Sequence, residues 1–251
     1  MATNKVYFIG AGPGDPELIT LKGHRILSVC PTVIIASSLV PMEFLKYSPK
    51  DVKVYDSAAM NLEQIIAAMK EGVKVGDVAR LHTGDPSIYG AIQEQMAELD
   101  KLSIAYEVIP GVTSLFAAAA ALKCELTVPE LSQTVIISRY GGRTPVPEDF
   151  DKVAAVGGTL ALYLSAGFLS EIALRLISQG RSADTAVAVV YRAGWKDQQI
   201  IKGTLTDIAE KAATITQHAL VIVGDAVSGA LPALSKLYDA KFSHGCREGD
   251  R

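Results

Sequence analysis

Leu81-His82-Thr83-Gly84-Asp85-Pro86-Ser87-Ile88-Tyr89-Gly90-Ala91 is the stretch from which the fold of this chain is read. Residues 78–81 predict the end of a buried strand, 83–86 a backbone turned sharply away from it, and Ser87 onward a helix. Open α/β sheets hold their ligands at such switches. Gly84 allows a ligand close to the main chain, Asp85 offers a carboxylate, and Pro86 fixes φ and removes a donor. Ser87 is placed to cap the helix. Gly-Asp-Pro is also what a plain strand-to-helix turn uses, so the tripeptide alone leaves turn and ligand loop equally open.

Outward from this stretch, strand-like and helix-like runs alternate, the pattern of β-α units around a parallel sheet. Strands are expected near 5–9, 32–36, 52–55, 77–81 and 104–109, with helices near 20–29, 41–46, 61–70 and 87–99. An Ala-rich helix at 111–122 leads to a second unit. There, strands are expected at 134–138, 159–164, 186–191, 198–202 and 219–223, with helices at 147–156, 168–178 and 205–213. Two strand-like runs flank Arg192-Ala193-Gly194-Trp195-Lys196-Asp197 with no room for a helix, so a hairpin is expected and the second sheet should be mixed. The expected architecture is α/β: two αβα domains, 1–112 with a mainly parallel sheet and 113–242 with a mixed one, a ligand cleft between them, and a flexible tail at 243–251.

Composition narrows the function classes. The 251 residues suffice for one large α/β domain or two small ones, and 49% hydrophobic content suits parallel sheets covered by small-residue helices. A net charge of −3 gives no general attraction for nucleic acid or anionic membrane. Cys30, Cys124 and Cys246 are widely spaced with no C-x-x-C pair, which argues against a disulfide framework or zinc site and for a reduced, cytoplasmic setting. His244 and Cys246 in the tail are too few to hold a metal, and none is expected. Val6-Tyr7-Phe8-Ile9 is too short for a signal peptide, and the longest apolar run, 115–122, falls well short of the roughly 20 residues of a membrane span.

Gly10-Ala11-Gly12-Pro13-Gly14-Asp15-Pro16 follows the first strand and invites a dinucleotide reading. Its details resist that. Asp15 stands where the third fingerprint glycine belongs and sets a carboxylate against pyrophosphate, Pro13 removes a donor, and Ser37 and Ser38 replace the acidic residue expected after the second strand. A nicotinamide-dependent oxidoreductase is therefore the distant alternative. Gly111-Val112-Thr113-Ser114 opens the Ala-rich helix, where Thr113 and Ser114 can cap it or bind a ligand. Tyr163-Leu164-Ser165-Ala166-Gly167 and Arg192-Ala193-Gly194 are junctions of the same kind. Five such junctions, two of them carrying Gly-Asp-Pro, suggest a ligand held between two sheets.

The combination of residues 6–16, His82-Thr83-Gly84-Asp85-Pro86-Ser87-Ile88-Tyr89-Gly90 and Ile109-Pro110-Gly111-Val112-Thr113-Ser114 resembles the tetrapyrrole methyltransferases, over about residues 5–238. The resemblance implies S-adenosylmethionine as cofactor, a two-domain α/β fold unlike the common methyltransferase fold, and a homodimer. Tyr55-Asp56-Ser57-Ala58-Ala59-Met60, Leu126-Thr127-Val128-Pro129-Glu130-Leu131-Ser132-Gln133-Thr134 and Arg139-Tyr140-Gly141-Gly142-Arg143-Thr144-Pro145 look like one branch, the precorrin-4 C(11)-methyltransferases of cobalamin biosynthesis. The uroporphyrinogen-III branch has Tyr-Asp-Arg where Ala36-Ser37-Ser38 stand, so no Asp acid or base carries over to position 37. A sibling methyltransferase acting on another ring carbon is the nearer alternative.

By that resemblance, Pro13, Thr83, Gly84, Asp85, Ile88, Thr113, Ser114, Leu164, Ala193 and Ala219 line the cofactor pocket. Transfer of a sulfonium methyl to carbon is an in-line displacement, for which orientation can supply effective molarities on the order of 10⁵ M with no nucleophilic side chain. A macrocycle bearing acetates and propionates needs cations, for which His24, Arg25, Arg139, Arg143, Arg192 and Lys196 are candidates. His82, beside Gly84, is the candidate catalytic residue. Trp195 reads as a packed loop aromatic or a flank of the cofactor.

Overall fold

The computed structural model describes residues 4–142, 144–230 and 235–248. The chain divides into two units, Met1–Ala117 with Arg192–Asp197, and Ala118–Tyr191 with Gln198–Arg251.

In the first unit the elements run β1 (Val6–Gly10), α1 (Leu21–Leu27), β2 (Thr32–Ile35), β3 (Lys53–Asp56), α2 (Leu62–Gly72), β4 (Val78–His82), α3 (Gln93–Lys101), β5 (Tyr106–Ile109) and α4 (Ser114–Leu122), the last continuing into the second unit. The five strands are all parallel, in the order β3-β2-β4-β1-β5. Side chains alternate between the two faces. Ile9, Val33, Ile35, Ala79 and Leu81 pack with Leu27 and Phe44, while Val6, Phe8, Ile34 and Val78 pack with Ile65, Met69 and Leu99. Burial on both faces is why these strands read as near-continuous apolar runs.

Local chemistry starts the helices. Thr20 Oγ1 accepts the Gly23 N–H ahead of α1, and Asn61 and Gln64 form a reciprocal capping box at α2. Two helices of the first unit differ from expectation. The one expected from Ser87 begins only at Gln93, because Tyr89 (φ 53°) and Ala91 (φ 48°) lie in the left-handed region and break the helical path. The helix expected near 41–46 is a 3₁₀ helix, Met42–Tyr47, whose turn closes through Phe44 N–H to Pro41 O, with no side-chain cap at Pro41.

The second unit runs β6 (Val135–Arg139), α5 (Phe150–Ala155), β7 (Thr159–Tyr163), α6 (Leu169–Ser178), β8 (Ala186–Tyr191), β9 (Gln199–Thr204), α7 (Ile208–Lys211) and β10 (Ala219–Val223). Its sheet, β6-β7-β10-β8-β9, is mixed as expected: β6 and β7 are parallel, and the other pairs are antiparallel. Leu160, Leu162, Val187, Val189, Val221 and Val223 meet Leu169, Ile172 and Leu176 in its core. Toward the C-terminus, His244 and Arg247 exchange main-chain hydrogen bonds, and Arg247 Nη2 donates to the carbonyls of Leu237, Asp239 and Phe242. No helix among the described residues is long and apolar enough to cross a membrane.

Candidate functional site

The carboxyl ends of β4, β1 and β5 lie side by side, with Gly10 opposite His82 and Ile9 opposite Ile109. The chain leaves each of them through glycine. A Cβ on Gly10 would sit 2.5 Å from Gly111 Cα and 2.7 Å from the Gly84 carbonyl oxygen, and a Cβ on Gly111 would strike that same oxygen. Three loops therefore meet main chain to main chain with no space for side chains. Gly12 and Gly84 exchange N–H···O bonds of 3.2 and 2.8 Å, and Ala11 N–H donates to the His82 carbonyl at 2.8 Å. Both Gly12 (φ 83°) and Gly84 (φ 62°) need the left-handed conformation to do so.

Asp85 ties these loops together. Its Oδ1 accepts the Ser87 N–H at 2.8 Å and its Oδ2 accepts the Gly111 N–H at 2.9 Å. Ser87 does not cap α3; its amide is held by Asp85 instead, because the segment before Gln93 is a turn. Asp15 behaves alike: its Oδ1 accepts the Glu17 N–H and caps a three-residue 3₁₀ turn, Pro16–Leu18. A carboxylate at this turn repels a pyrophosphate, which opposes the oxidoreductase alternative.

Below this junction β4 carries two ionisable side chains into the packed face of the sheet. His82 is 6% exposed, its ring lies 5.8 Å from that of Phe8, and its Nε2 is buried without a hydrogen-bond partner among the described residues. Burial, with the Arg80 charge adding, pulls the imidazole down to about 3, so the ring is neutral at physiological pH. Arg80, also 6% exposed, donates through Nη1 to Ser57 Oγ (2.9 Å) and to the Leu81 (3.3 Å) and Ile34 (3.5 Å) carbonyls. It forms no ion pair with a carboxylate among the described residues, and burial lowers its pKa to about 10. Sequence reasoning missed this residue, although a lone charge inside the run Val78-Ala79-Arg80-Leu81 was its signal.

Of the expected cofactor residues, Pro13, Thr83, Gly84, Asp85, Ile88, Thr113, Ser114 and Ala193 belong to the first unit. All but Ala193 lie on or beside the three loops, and Thr113 is buried at the start of α4, where its carbonyl accepts the Phe116 N–H at 3.1 Å. Leu164 and Ala219 belong to the second unit. Leu164 follows β7 at φ 55° with 69% of its surface exposed, an uncommon conformation for a branched apolar residue. Ala219 opens β10 opposite Tyr191.

The expected cations scatter. His24 and Arg25 sit in the last turn of α1, where His24 packs edge-on against Tyr47 at 4.7 Å. That turn leads away from the glycine loops toward the start of β2. Arg139 ends β6 and donates to Thr144 Oγ1 (2.5 Å) and the Pro145 carbonyl (2.7 Å), beside a cavity of about 320 Å³ lined by Tyr140, Glu148, Asp149 and Arg175. Arg192 pairs with Asp197 at 2.7 Å, and Lys196, 92% exposed, approaches Glu43 at 3.5 Å. Arg143 lies outside the described residues.

The sequence profile of the tetrapyrrole (corrin/porphyrin) methylases matches residues 5–209. The chain belongs to that family. Among relatives of this methylase, the cobalt-precorrin-4 C(11)-methyltransferase of Methanocaldococcus jannaschii is 50% identical over 252 residues, covering 98% of this chain and 97% of its own. Of solved structures, a cobalt precorrin-4 methyltransferase of cobalamin biosynthesis aligns with a TM-score of 0.86 and 43% identity, over 89% of the methylase and 95% of that chain. A uroporphyrin-III C-methyltransferase from Thermus thermophilus, solved with S-adenosyl homocysteine, aligns with a TM-score of 0.75 and 28% identity, over 89% and 93%. The α/β architecture with one parallel and one mixed five-stranded sheet is the fold of these methylases.

Proposed function

We propose that this methylase transfers a methyl group from S-adenosylmethionine to ring carbon 11 of precorrin-4, or of its cobalt complex, giving precorrin-5 and S-adenosylhomocysteine in cobalamin synthesis. The observation that carries the reading is the side-chain-free junction of Gly10, Gly84 and Gly111, held by Asp85 at the carboxyl end of a parallel sheet. Loops packed this closely, main chain on main chain, leave backbone groups rather than side chains at the strand ends, which suits a cofactor bound through main-chain groups. The likeness to relatives named for precorrin-4 supports the choice of ring carbon.

S-adenosylmethionine, when bound, supplies an electrophilic methyl on a sulfonium. On this reading Pro13, Thr83, Gly84, Ile88, Thr113, Ser114 and Ala193 hold it, while Asp85 fixes the loops that bear them. Leu164 and Ala219 are proposed as further contacts from the second unit. The neutral His82 shapes the floor beneath Gly84, and Arg139, Arg143 and Arg192 are offered to the substrate carboxylates. Catalysis then rests on orientation and exclusion of water, as an in-line displacement needs no protein nucleophile. The family likeness also supports a homodimer, which light scattering tests, working in the cytoplasm.

The deciding experiment incubates the protein with precorrin-4, with and without cobalt, and S-adenosylmethionine labelled at the methyl carbon. Label at carbon 11 by NMR is the expected result. Label at another carbon would establish the sibling activity, and absence of transfer would overturn the reading. Thermal protection by NAD(P) in place of S-adenosylhomocysteine would revive the oxidoreductase.

A further inference from the structure

Gly12-Pro13-Gly14 runs between two fixed points, the Gly12–Gly84 pair and the turn capped by Asp15. The Gly12 main chain is fixed by its paired bonds to Gly84, and the Pro13 ring fixes its own φ. The next peptide, from the Pro13 carbonyl to the Gly14 N–H, is free to rotate unless something outside the loop holds it. Trp195 does so. Its Nε1–H donates to the Pro13 carbonyl at 2.9 Å, and its ring occupies the space where a Cβ on Gly14 would lie. The tip Arg192–Asp197 that bears it belongs to the first unit and is braced in turn: Trp195 N–H donates to the Arg192 carbonyl at 2.9 Å, and the Arg192 guanidinium stands 5.0 Å over the indole while pairing with Asp197.

In a trans peptide the N–H points opposite to the C=O. By holding the Pro13 oxygen, Trp195 therefore also decides where the Gly14 N–H points. Gly14 is buried, and its N–H has no acceptor among the described residues. Buried main-chain donors left without a partner are rare and call for one.

We propose that Trp195 is a positioning residue for S-adenosylmethionine, acting through the Pro13–Gly14 peptide so that the Gly14 N–H meets an acceptor atom of the bound molecule. This rests on the methyltransferase reading above. Acting through that peptide rather than on the reacting carbons, Trp195 contributes to cofactor binding and not to the chemical step, so its loss weakens binding and leaves that step alone.

The test is Trp195→Phe, which keeps a ring over Gly14 and removes the donor. Calorimetry should give an S-adenosylhomocysteine Kd about 5-fold to 10-fold weaker than wild type, as expected for loss of one hydrogen bond. The KM for S-adenosylmethionine should rise by the same factor, with kcat at saturation within about two-fold and the tetrapyrrole KM unchanged. Equal Kd in variant and wild type overturns the proposal, as does a fall in kcat to match the rise in KM. Trp195 is the chain's one tryptophan, so wild-type emission offers a second measurement if the variant does not fold. Emission should shift with a midpoint at the calorimetric Kd, and emission indifferent to S-adenosylhomocysteine sinks the idea. A wild type that binds no S-adenosylhomocysteine removes the methyltransferase reading itself, whereas a binding wild type with an unaltered variant removes only this inference.

Discussion

Asp85 Oδ2 accepts the Gly111 N–H at 2.9 Å across 26 residues of sequence, while its Oδ1 holds the Ser87 N–H two residues on. One half-buried carboxylate thus fixes both the β4 and the β5 loops. Asp85→Asn keeps one acceptor and turns an amide N–H₂ toward the other donor. Hydrogen bonds to charged groups contribute about 1.5–3 kcal/mol, and the variant should lose stability of that order in urea unfolding. Its KM for S-adenosylmethionine should rise at the same time. A stable variant with wild-type KM would show that Asp85 only closes a turn.

Gly111→Ala tests the close approach of the loops. The new methyl would strike the Gly84 carbonyl and lie 2.7 Å from Gly10 Cα, with main chain on both sides and no flexible side chain to yield. Overpacking of this kind costs typically 1–3 kcal/mol. Thermal unfolding should show it, with S-adenosylhomocysteine affinity falling more than stability alone explains. Gly141→Ala is the control, because nothing lies within 4 Å of its added Cβ.

His82 makes a prediction about pH. Its folded-state value, about 3, lies below the ordinary 6.5, so the unfolded chain takes up the proton first. The stability gained by burying the neutral ring is fully present above pH 6.5 and is lost as pH falls from there toward 3. Wild type should therefore lose stability more steeply over this window than His82→Gln, as measured by urea unfolding at a series of pH values. A ring held neutral gives no ionisation limb to the activity profile near neutrality, so a His82-dependent limb there would refute the burial argument. His82→Ala should slow methylation more than it weakens cofactor binding; equal loss of both would exclude a role beside the reacting groups.

The order of elements was legible because the two sheets write different patterns: near-continuous apolar runs for β1, β2 and β4, and a helix-free hairpin around residues 192–197 that forces the second sheet to be mixed. The Gly-Asp-Pro loops were legible too, since glycine and proline at strand ends leave few backbone options. The start of α3 was not. Residues 87–92 lack any helix breaker except Gly90, and what stops the helix is tertiary: the left-handed Tyr89 and Ala91 beside a Gly90 whose Cβ would strike the Pro86 carbonyl. Arg80, Asp85 and Trp195 acquire their roles from partners 23, 26 and 182 residues away, and no local pattern carries such pairings.

Arg139 is already engaged, and this shapes what its removal should do. Two of its guanidinium nitrogens hold Thr144 and Pro145, closing the loop that carries Arg143. Arg139→Ala removes a charge and the tie together, so the loop loses its hold and the tetrapyrrole KM should rise while the KM for S-adenosylmethionine stays put. Arg139→Lys separates the causes: a lysine keeps the charge but cannot span two acceptors with a planar fork. If the tie matters, Arg139→Lys resembles Arg139→Ala in KM, and both lower Tm by about 2–4 °C for a loss near 1 kcal/mol in a chain of this size. If the charge is what the substrate meets, the lysine restores KM. Arg143→Ala should raise the tetrapyrrole KM, and unchanged kinetics would remove Arg143 from the substrate site.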